Sequence, residues 1–169
     1  MKTPDFTLRP WRHTDLDKLV LYANNPGITE NLSNSFPYPY TRENGEKFIN
    51  MVLNIGEPQR IFAIALNDEI IGSIGLHPQA DIMIRNMELG YWVAEPFWGR
   101  GIVTAAISQM VDYCFSTFEV TRIFARVFGS NIGSQRALEK AGFVLEARFS
   151  GTIFKNGRVE DELIYAVRK

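Results

Sequence analysis

The sequence is poor in cysteine and has no marked excess of charge of either sign. Cys114 is the single cysteine, so no disulfide can form within the chain, as expected of a cytoplasmic protein. The formal net charge is −1, so there is no basic surplus to bind a phosphate backbone. These shortages argue against a disulfide-stabilised secreted domain and against nucleic acid as the main partner.

Long apolar stretches are also missing. No run approaches the roughly 20 apolar residues of a membrane span. The chain opens with Met-Lys-Thr-Pro-Asp-Phe, in which charge and proline interrupt any signal-peptide core. No internal repeat and no Gly-, Ser- or Pro-rich linker divides the sequence. We therefore expect a soluble, cytoplasmic protein with no membrane partner, folded as a single domain over residues 1–169.

Metal ligands are scarce as well. His13 and His77 are far apart in the sequence and lack neighbours with ligand-like spacing, so we expect no metal site. Cys114 falls on the apolar side of a predicted helix, which favours an inert core thiol over a nucleophile.

The apolar and turn patterns predict seven strands and four helices. Most of the early connections are short hairpins, so the pattern favours an α+β fold with a mixed, mostly antiparallel sheet of about seven strands. In chain order the predicted elements are a strand over 6–12, a helix capped by Thr14 and ended by Asn25-Pro26-Gly27, a helix from Thr41 to about Asn54, strands over 60–66, 69–76 and 87–94, a long helix after Gly101, a strand over 122–128, a short helix capped by Asn131, and strands over 144–154 and 159–167.

A glycine segment, Gly-Arg-Gly-Ile-Val-Thr at 99–104, lies between a predicted strand and a predicted helix. Free N–H groups at a helix start bind anions, and glycine allows a phosphate to approach the backbone. Arg100 and the Thr104 hydroxyl can add donors. A plain tight turn is the alternative reading of Gly99 and Gly101 alone. The P-loop and the dinucleotide fingerprint do not fit, since the Gly-Lys pair of the first and the third glycine of the second are absent.

Two segments together resemble a known family. Glu-Leu-Gly-Tyr-Trp-Val at 88–93, followed by Trp-Gly-Arg-Gly-Ile-Val-Thr at 98–104, resembles motif A of the GNAT superfamily of acetyltransferases. Asn-Ile-Gly-Ser at 131–134, followed by Ala-Leu-Glu-Lys-Ala-Gly-Phe at 137–143, resembles its motif B. The branch of ribosomal-protein-alanine (Rim-type) acetyltransferases is the most similar, through Phe-Thr-Leu-Arg-Pro at 6–10 and Phe-Pro-Tyr-Pro-Tyr at 36–40. The GNAT fold, with helices on both faces of the sheet, is the implied architecture.

The resemblance implies transfer of an acetyl group from acetyl-CoA, as co-substrate, to a primary amine. It implies that acetyl-CoA contacts the first motif and the start of the second, where the corresponding residues are Trp92, Val93, Gly99, Arg100, Gly101, Val103, Thr104, Asn131 and Ser134. Backbone N–H groups near Trp92 and Val93 would then polarise the thioester carbonyl.

The resemblance also implies the catalytic side chains. Glu88 matches a strand glutamate that acts as general base in several members, although an alternating strand carboxylate is more often only a solvated charge. Ser134 matches a Rim-type serine whose hydroxyl bonds the CoA sulfur, and helix capping is the alternative role for this residue.

The sequence departs from the family pattern at four positions, which are Trp98, Val103, Leu138 and Ile153. Leu138 stands where many members have a tyrosine acid. Ile153 stands where Rim-type enzymes have an acid, so Asp161 and Glu162 are the remaining candidate carboxylates near the end of the chain.

The sequence predicts an N-acetyltransferase acting by direct transfer on a protein N-terminus or a small-molecule amine. We expect the aromatic loop at 36–40 to shape the acceptor side, and hydrophobic packing alone is the other interpretation of that loop. A non-catalytic acyl-CoA-binding regulator is the alternative function, and a monomer or a homodimer is the expected assembly.

Overall fold

A computed structural model of the chain describes residues 5–169, which form a mixed sheet and five α-helices. The strands are β1 (Phe6–Arg9), β2 (Ile61–Leu66), β3 (Glu69–Pro78), β4 (Asn86–Val93), β5 (Arg122–Phe128), β6 (Val144–Lys155) and β7 (Arg158–Arg168). The helices are α1 (Leu16–Ala23), α2 (Pro26–Thr29), α3 (Arg42–Leu53), α4 (Ile102–Thr117) and α5 (Ile132–Lys140).

The strands lie side by side in the order β1-β2-β3-β4-β5-β7-β6. The pairs β1–β2, β2–β3, β5–β7 and β6–β7 are antiparallel, whereas β4 and β5 are parallel. The parallel pairing is short, because it covers only Asn86 to Glu88 of β4 and Arg122 to Phe124 of β5. The mixed, mostly antiparallel sheet confirms the fold class predicted from the sequence.

The chain divides into two compact units. The first contains the described residues up to Gly75 together with Tyr91–Val103, and the second contains Leu76–Gly90 and Thr104–Lys169. The first unit has its own core of large apolar side chains, among them Trp11, Leu19, Ile49, Tyr40 and Trp92. In the second unit α4 buries Ala106, Ile107, Met110 and Cys114, and β5 buries Ile123, Ala125 and Val127.

Local sequence signals set several element ends. Asn67-Asp68 and Asn156-Gly157 adopt positive φ between antiparallel strands, as two-residue hairpin turns require. The Thr41 hydroxyl accepts a hydrogen bond from Asn44 N and begins α3. Gly142, at φ +88°, follows the end of α5. The start of α3 at Thr41 agrees with the sequence prediction, and both turns lie between strands that the sequence predicts.

The first helix begins differently from the prediction. Thr14 is not its cap, because residues 13–15 form a 3₁₀ turn and α1 begins at Leu16. The Asp15 carboxylate is instead buried against Arg9, accepts from its two Nη atoms at 2.9 and 2.7 Å, and also accepts from Arg12 N at 2.8 Å. The first strand also ends early, at Arg9, and Asn25, predicted as a helix stop, caps the additional short helix α2.

Strands β3 and β4 approach closely at Gly72. A Cβ atom built on Gly72 would lie 2.3 Å from the carbonyl oxygen of Trp92 and 3.0 Å from Cα of Val93. Because both neighbours are backbone atoms, they cannot move aside as a flexible side chain would. Glycine is therefore required at position 72 to seat β4 where Trp92 and Val93 lie.

Candidate active site

Strand β4 carries the first group of candidate residues. Met87 and Leu89 are buried and Glu88 is half-buried, which fits the predicted alternation. The alternation then fails, because Trp92 and Val93 are both buried and Tyr91 is only half-buried. The Trp92 ring packs edge-on against Phe36 at 6.0 Å between centroids. Phe36 of the aromatic loop thus packs against Trp92. The resemblance implies that main-chain N–H groups near Trp92 polarise the thioester carbonyl.

The glycine segment has the backbone that an anion site needs. Gly99 has φ +72° and Gly101 has φ +77°, and α4 begins at Ile102. No atom lies within 4 Å of a Cβ built on Gly99, so the surface above that residue is open. The first N–H groups of a helix lack partners within the helix and point outward at the positive end of its dipole. This arrangement favours the anion-binding interpretation over the tight turn alone.

Two side chains on the turn before α4, those of Trp98 and Arg100, are hydrogen-bonded to nearby main-chain carbonyls. The Trp98 indole N–H donates to the Val93 carbonyl at 2.6 Å. The exposed Arg100 guanidinium donates to the Pro96 carbonyl at 2.8 Å and lies 5.3 Å from the Phe97 ring centre. Arg100 therefore rests on the turn at 95–97 in this structure.

The first turn of α4 holds two more candidates. Val103 and Thr104 are both half-buried. The Thr104 carbonyl accepts from the Ser108 hydroxyl at 3.1 Å within the helix. The first unit ends at Val103, and Thr104 is the first residue of the second segment of the second unit, so the residues of α4 are divided between the two units.

The start of α5 holds Asn131 and Ser134. The Asn131 side-chain oxygen accepts from Ser134 N at 3.1 Å, so Asn131 is the cap, as predicted. Ser134 contributes its main-chain N–H to this cap. The side-chain oxygen that caps α5 is thus that of Asn131. Both residues are half-buried and lie, with Glu88, in the second unit.

Glu88 shares a cation with a second carboxylate. Arg126 Nε lies 3.4 Å from Glu88 Oε1, and Arg126 Nη1 donates to Glu162 Oε1 at 3.1 Å. The side chains of Glu88, Arg126 and Glu162 are 30%, 54% and 18% exposed. The sequence analysis did not identify Arg126. Its placement on the same face as Glu88 depends on the pairing of β4 with β5, which the spacing of residues along one strand does not reveal.

Arg126 and Glu162 line an open groove of about 400 Å³ in the second unit. Its walls combine aromatic, aliphatic and charged side chains, namely Gln79, Met83, Arg122, Phe124, Arg126, Phe149, Thr152, Glu162 and Ile164. The Phe124 ring lies 4.5 Å from the Arg122 guanidinium and 5.8 Å from that of Arg126. A groove with an apolar floor and charged walls suits a small amine or the end of a peptide.

Asp161, one of the remaining candidate acids, is engaged in the strand structure. Its carboxylate accepts from Gly151 N at 3.0 Å and from Arg148 Nε at 2.7 Å, and these contacts hold its pKa below the usual range. The contact with Gly151 falls where the register of β6 shifts between Phe149 and Ile153. Asp161 therefore fixes a bulge in β6 and is a poor proton acceptor.

A carboxylate also lies on the strand next to Ile153, the position at which Rim-type enzymes have an acid. Glu160 on β7 pairs in register with Ile153 on β6. Its Oε2 accepts a hydrogen bond from the Ser130 hydroxyl, directly before Asn131. The sequence analysis missed Glu160, although its two-residue spacing from Glu162 places both on one face of β7.

Cys114 lies in the core of the second unit. It is fully buried, its Sγ lies 3.7 Å from Met87 Sδ, and burial raises the pKa of its thiol to about 11. A buried neutral thiol is a poor nucleophile.

Within residues 5–169, no set of three or more His, Cys, Asp or Glu side chains is grouped as metal ligands. None of the described helices has the length and apolar composition needed to cross a membrane.

The family model described as Acetyltransferase (GNAT) domain matches residues 5–144. A curated relative, the putative ribosomal N-acetyltransferase YdaF of Bacillus subtilis, is 27% identical over 91% of this chain and 78% of its own length. The match to the uncharacterized N-acetyltransferase YoaA of the same organism is 37% identical but covers 60% of this chain and only 56% of the relative. A solved structure of RimL, a ribosomal L7/L12 α-N-protein acetyltransferase in complex with coenzyme A, superposes with a TM-score of 0.85 at 18% identity, covering 99% of this chain and 95% of the other.

The fold, the glycine segment and these matches define an N-acetyltransferase. The chain belongs to the GNAT acetyltransferase family. The resemblance to the Rim-type branch is confirmed as well.

Proposed function

We propose that this protein transfers an acetyl group from acetyl-CoA to a primary amine in the cytoplasm. The observation that carries the proposal is the glycine segment, in which Gly99 and Gly101 have positive φ immediately before the 16-residue helix α4. Such a segment can hold the phosphates of CoA on main-chain N–H groups. Val103 and Thr104 in the first turn and Arg100, swung from its contact with Pro96, supply further contacts to the cofactor.

The reaction needs a neutral amine, a polarised thioester and a proton for the departing thiolate. Glu88 accepts the proton of the acceptor ammonium, directly or through water. The amine nitrogen then forms a bond to the carbonyl carbon, whose oxygen is held by N–H groups near Trp92 and Val93. As the C–S bond breaks, the nitrogen gives up its surplus proton, which passes to the departing CoA thiolate directly or through water. Asn131 holds the pantetheine arm, and the Ser134 hydroxyl stabilises the thiolate until that proton arrives.

Direct transfer is favoured because no accessible thiol is available to carry the acetyl group. Cys114, the single cysteine, is fully buried and its pKa is raised to about 11. No acetyl-enzyme is therefore part of this proposal, and donor and acceptor must bind together before the C–N bond forms.

The groove beside Phe124 and Arg126 is the proposed acceptor site. Its volume of about 400 Å³ suits either a small-molecule amine or the first residues of a peptide. A small-molecule amine and a peptide N-terminus differ in the groups attached to the amine nitrogen. Measuring which of them receives the acetyl group therefore distinguishes the two classes.

The test is the release of free CoA thiol by the purified protein with acetyl-CoA and a panel of peptides, polyamines and other small amines. We expect thiol release that depends on an amine, with mass spectrometry showing an acetyl group on that amine. Binding of acetyl-CoA without turnover on any acceptor would instead support the acyl-CoA-binding regulator. Omission of the amine is the control for simple thioester hydrolysis.

A further inference from the structure

Three charged side chains lie on one face of three neighbouring strands. Glu88 on β4 pairs in register with Phe124 on β5, so both side chains point to the same face. Arg126 is two residues beyond Phe124 and shares that face. Glu162 on β7 pairs with Phe128, one step beyond Arg126 on the same face of the sheet. The guanidinium thus lies between two carboxylates, one from each flanking strand.

The two contacts of Arg126 are unequal. Its Nη1 donates to Glu162 at 3.1 Å, within the normal range of an N–H···O hydrogen bond, whereas its Nε lies 3.4 Å from Glu88. Glu162 is also the less exposed carboxylate, at 18% against 30% for Glu88. A charge pair gains strength as solvent is removed, so Arg126 is held more firmly by Glu162 than by Glu88.

We infer that Glu162 is a positioning residue that engages Arg126 in the shorter contact and leaves Glu88 only the longer one, so that the Glu88 carboxylate is available to the acceptor ammonium. The inference rests on the proposed role of Glu88 as base. With both carboxylates and one guanidinium the cluster has a net charge of −1, which attracts an ammonium. Without Glu162, Glu88 and Arg126 would neutralise each other, and the guanidinium would be free to pair with Glu88 through two hydrogen bonds.

Charge counting gives the order of a set of variants. The net charge of the cluster becomes 0 in Glu162→Gln and −2 in Arg126→Gln. In the double variant it is again −1, carried by Glu88 alone. We therefore expect the KM of the amine to rise about tenfold in Glu162→Gln and to fall in Arg126→Gln. The double variant should return to within about threefold of the original KM.

The measurement is steady-state kinetics with the amine varied at saturating acetyl-CoA, for the four proteins at low and at high salt. The KM for acetyl-CoA should stay constant, and the differences in amine KM should shrink at high salt because the Debye length falls to about 3 Å at 1 M. Glu43→Gln is the matched control, since Glu43 is an exposed carboxylate paired with Lys47 on α3. Thermal melting of each variant checks that the fold is retained.

Recovery of the amine KM in the double variant distinguishes a positioning role of Glu162 from a purely structural one. If Glu162 only stabilised the sheet, Arg126→Gln would add its own loss to that of Glu162→Gln, and additive losses would overturn the inference. An unchanged amine KM in Glu162→Gln would overturn it too. Failure of the proposed function has a different signature, because the unmodified protein would then acetylate no amine, or Glu88→Gln would turn over normally.

Discussion

At the scale of single residues, the proposed transfer of a proton to Glu88 can be tested directly. Glu88→Gln retains the size of the side chain and removes the base, so kcat should fall about 10²-fold at neutral pH. Part of the loss should be recovered at high pH, because the amine then loses its proton to solvent and needs no base. The kcat of both proteins as a function of pH, with the acetyl-CoA affinity as control, tests this. Equal turnover across the pH range would leave Glu88 without a catalytic role.

The role proposed for Ser134 lies on the other side of the reaction, at the leaving sulfur. Since Asn131 caps α5, Ser134→Ala leaves the side-chain cap intact and should change the free energy of unfolding by less than the ~1 kcal/mol typical of a lost cap. Its kcat should nevertheless fall by about 10²-fold or more, with little change in the KM for acetyl-CoA. Kinetics and thermal melting of the same preparation make the comparison. A variant that melts earlier and turns over normally would show that Ser134 is structural.

Among the elements, the turn before α4 makes the sharpest prediction about acetyl-CoA. Gly101 has φ +77°, a conformation that Asp and Asn tolerate better than other side chains. Gly101→Asp and Gly101→Asn should strain the turn equally, but only the aspartate should repel phosphates. We expect Asp to weaken acetyl-CoA binding at least tenfold relative to Asn, as measured by calorimetry. Equal affinities in two folded variants would place the phosphates elsewhere.

The contact between β3 and β4 makes a prediction about stability. Gly72→Ala places a Cβ 2.3 Å from the Trp92 carbonyl oxygen, so the backbone of β4 must shift. Overpacking of this kind typically costs about 1–3 kcal/mol, which corresponds to a fall in Tm of roughly 2–12 °C for a chain of this size. Thermal unfolding measures the loss, with Gly133→Ala as the control, because Gly133 does not have positive φ and the nearest atom to a Cβ built there is Asn131 Oδ1 at 3.8 Å. A Tm equal to that of the original protein would show that β4 can move away from β3 at no cost.

Elements specified by local chemistry were predictable from the sequence. The caps Thr41 and Asn131 and the turn at Asn156-Gly157 depend on residues close in the chain, and each is found in the structure. Thr14 failed as a cap for a tertiary reason, because Asp15 is buried against Arg9 and residues 13–15 form a 3₁₀ turn instead. Local propensity is a weak guide wherever a buried ion pair determines the backbone.

The candidate site was predictable only where a motif occupies consecutive residues. The glycine segment and the Asn131 cap can be identified from short stretches of sequence. The contact of Arg126 with Glu88 depends on the register of β4 with β5, and its contact with Glu162 on the register of β5 with β7. Residues 36 or more positions apart come together there, and neither composition nor periodicity specifies such a register.

For the whole molecule, acetyl-CoA should act as a stabilising ligand. A ligand that binds only the folded state adds about 2.7 kcal/mol at a concentration of 100 Kd. For a chain of this length that corresponds to a rise in Tm of roughly 5–10 °C. Differential scanning fluorimetry with acetyl-CoA measures the shift, and pantetheine, which lacks the phosphates that we propose the glycine segment holds, should give a smaller one. The same Tm with and without acetyl-CoA would count against donor binding altogether.

The glycine segment has a consequence for how this enzyme can diverge. Main-chain N–H groups are common to every residue but proline, so a donor site built on them constrains few side chains beyond Gly99 and Gly101. The groove beside Phe124, in contrast, is lined by residues whose side chains differ in size, polarity and charge. On the proposed assignment of this groove to the amine, substitution of these side chains can change which amine is accepted while the acetyl donor stays the same. Descendants of one such gene would share a donor and differ in the molecules that they modify.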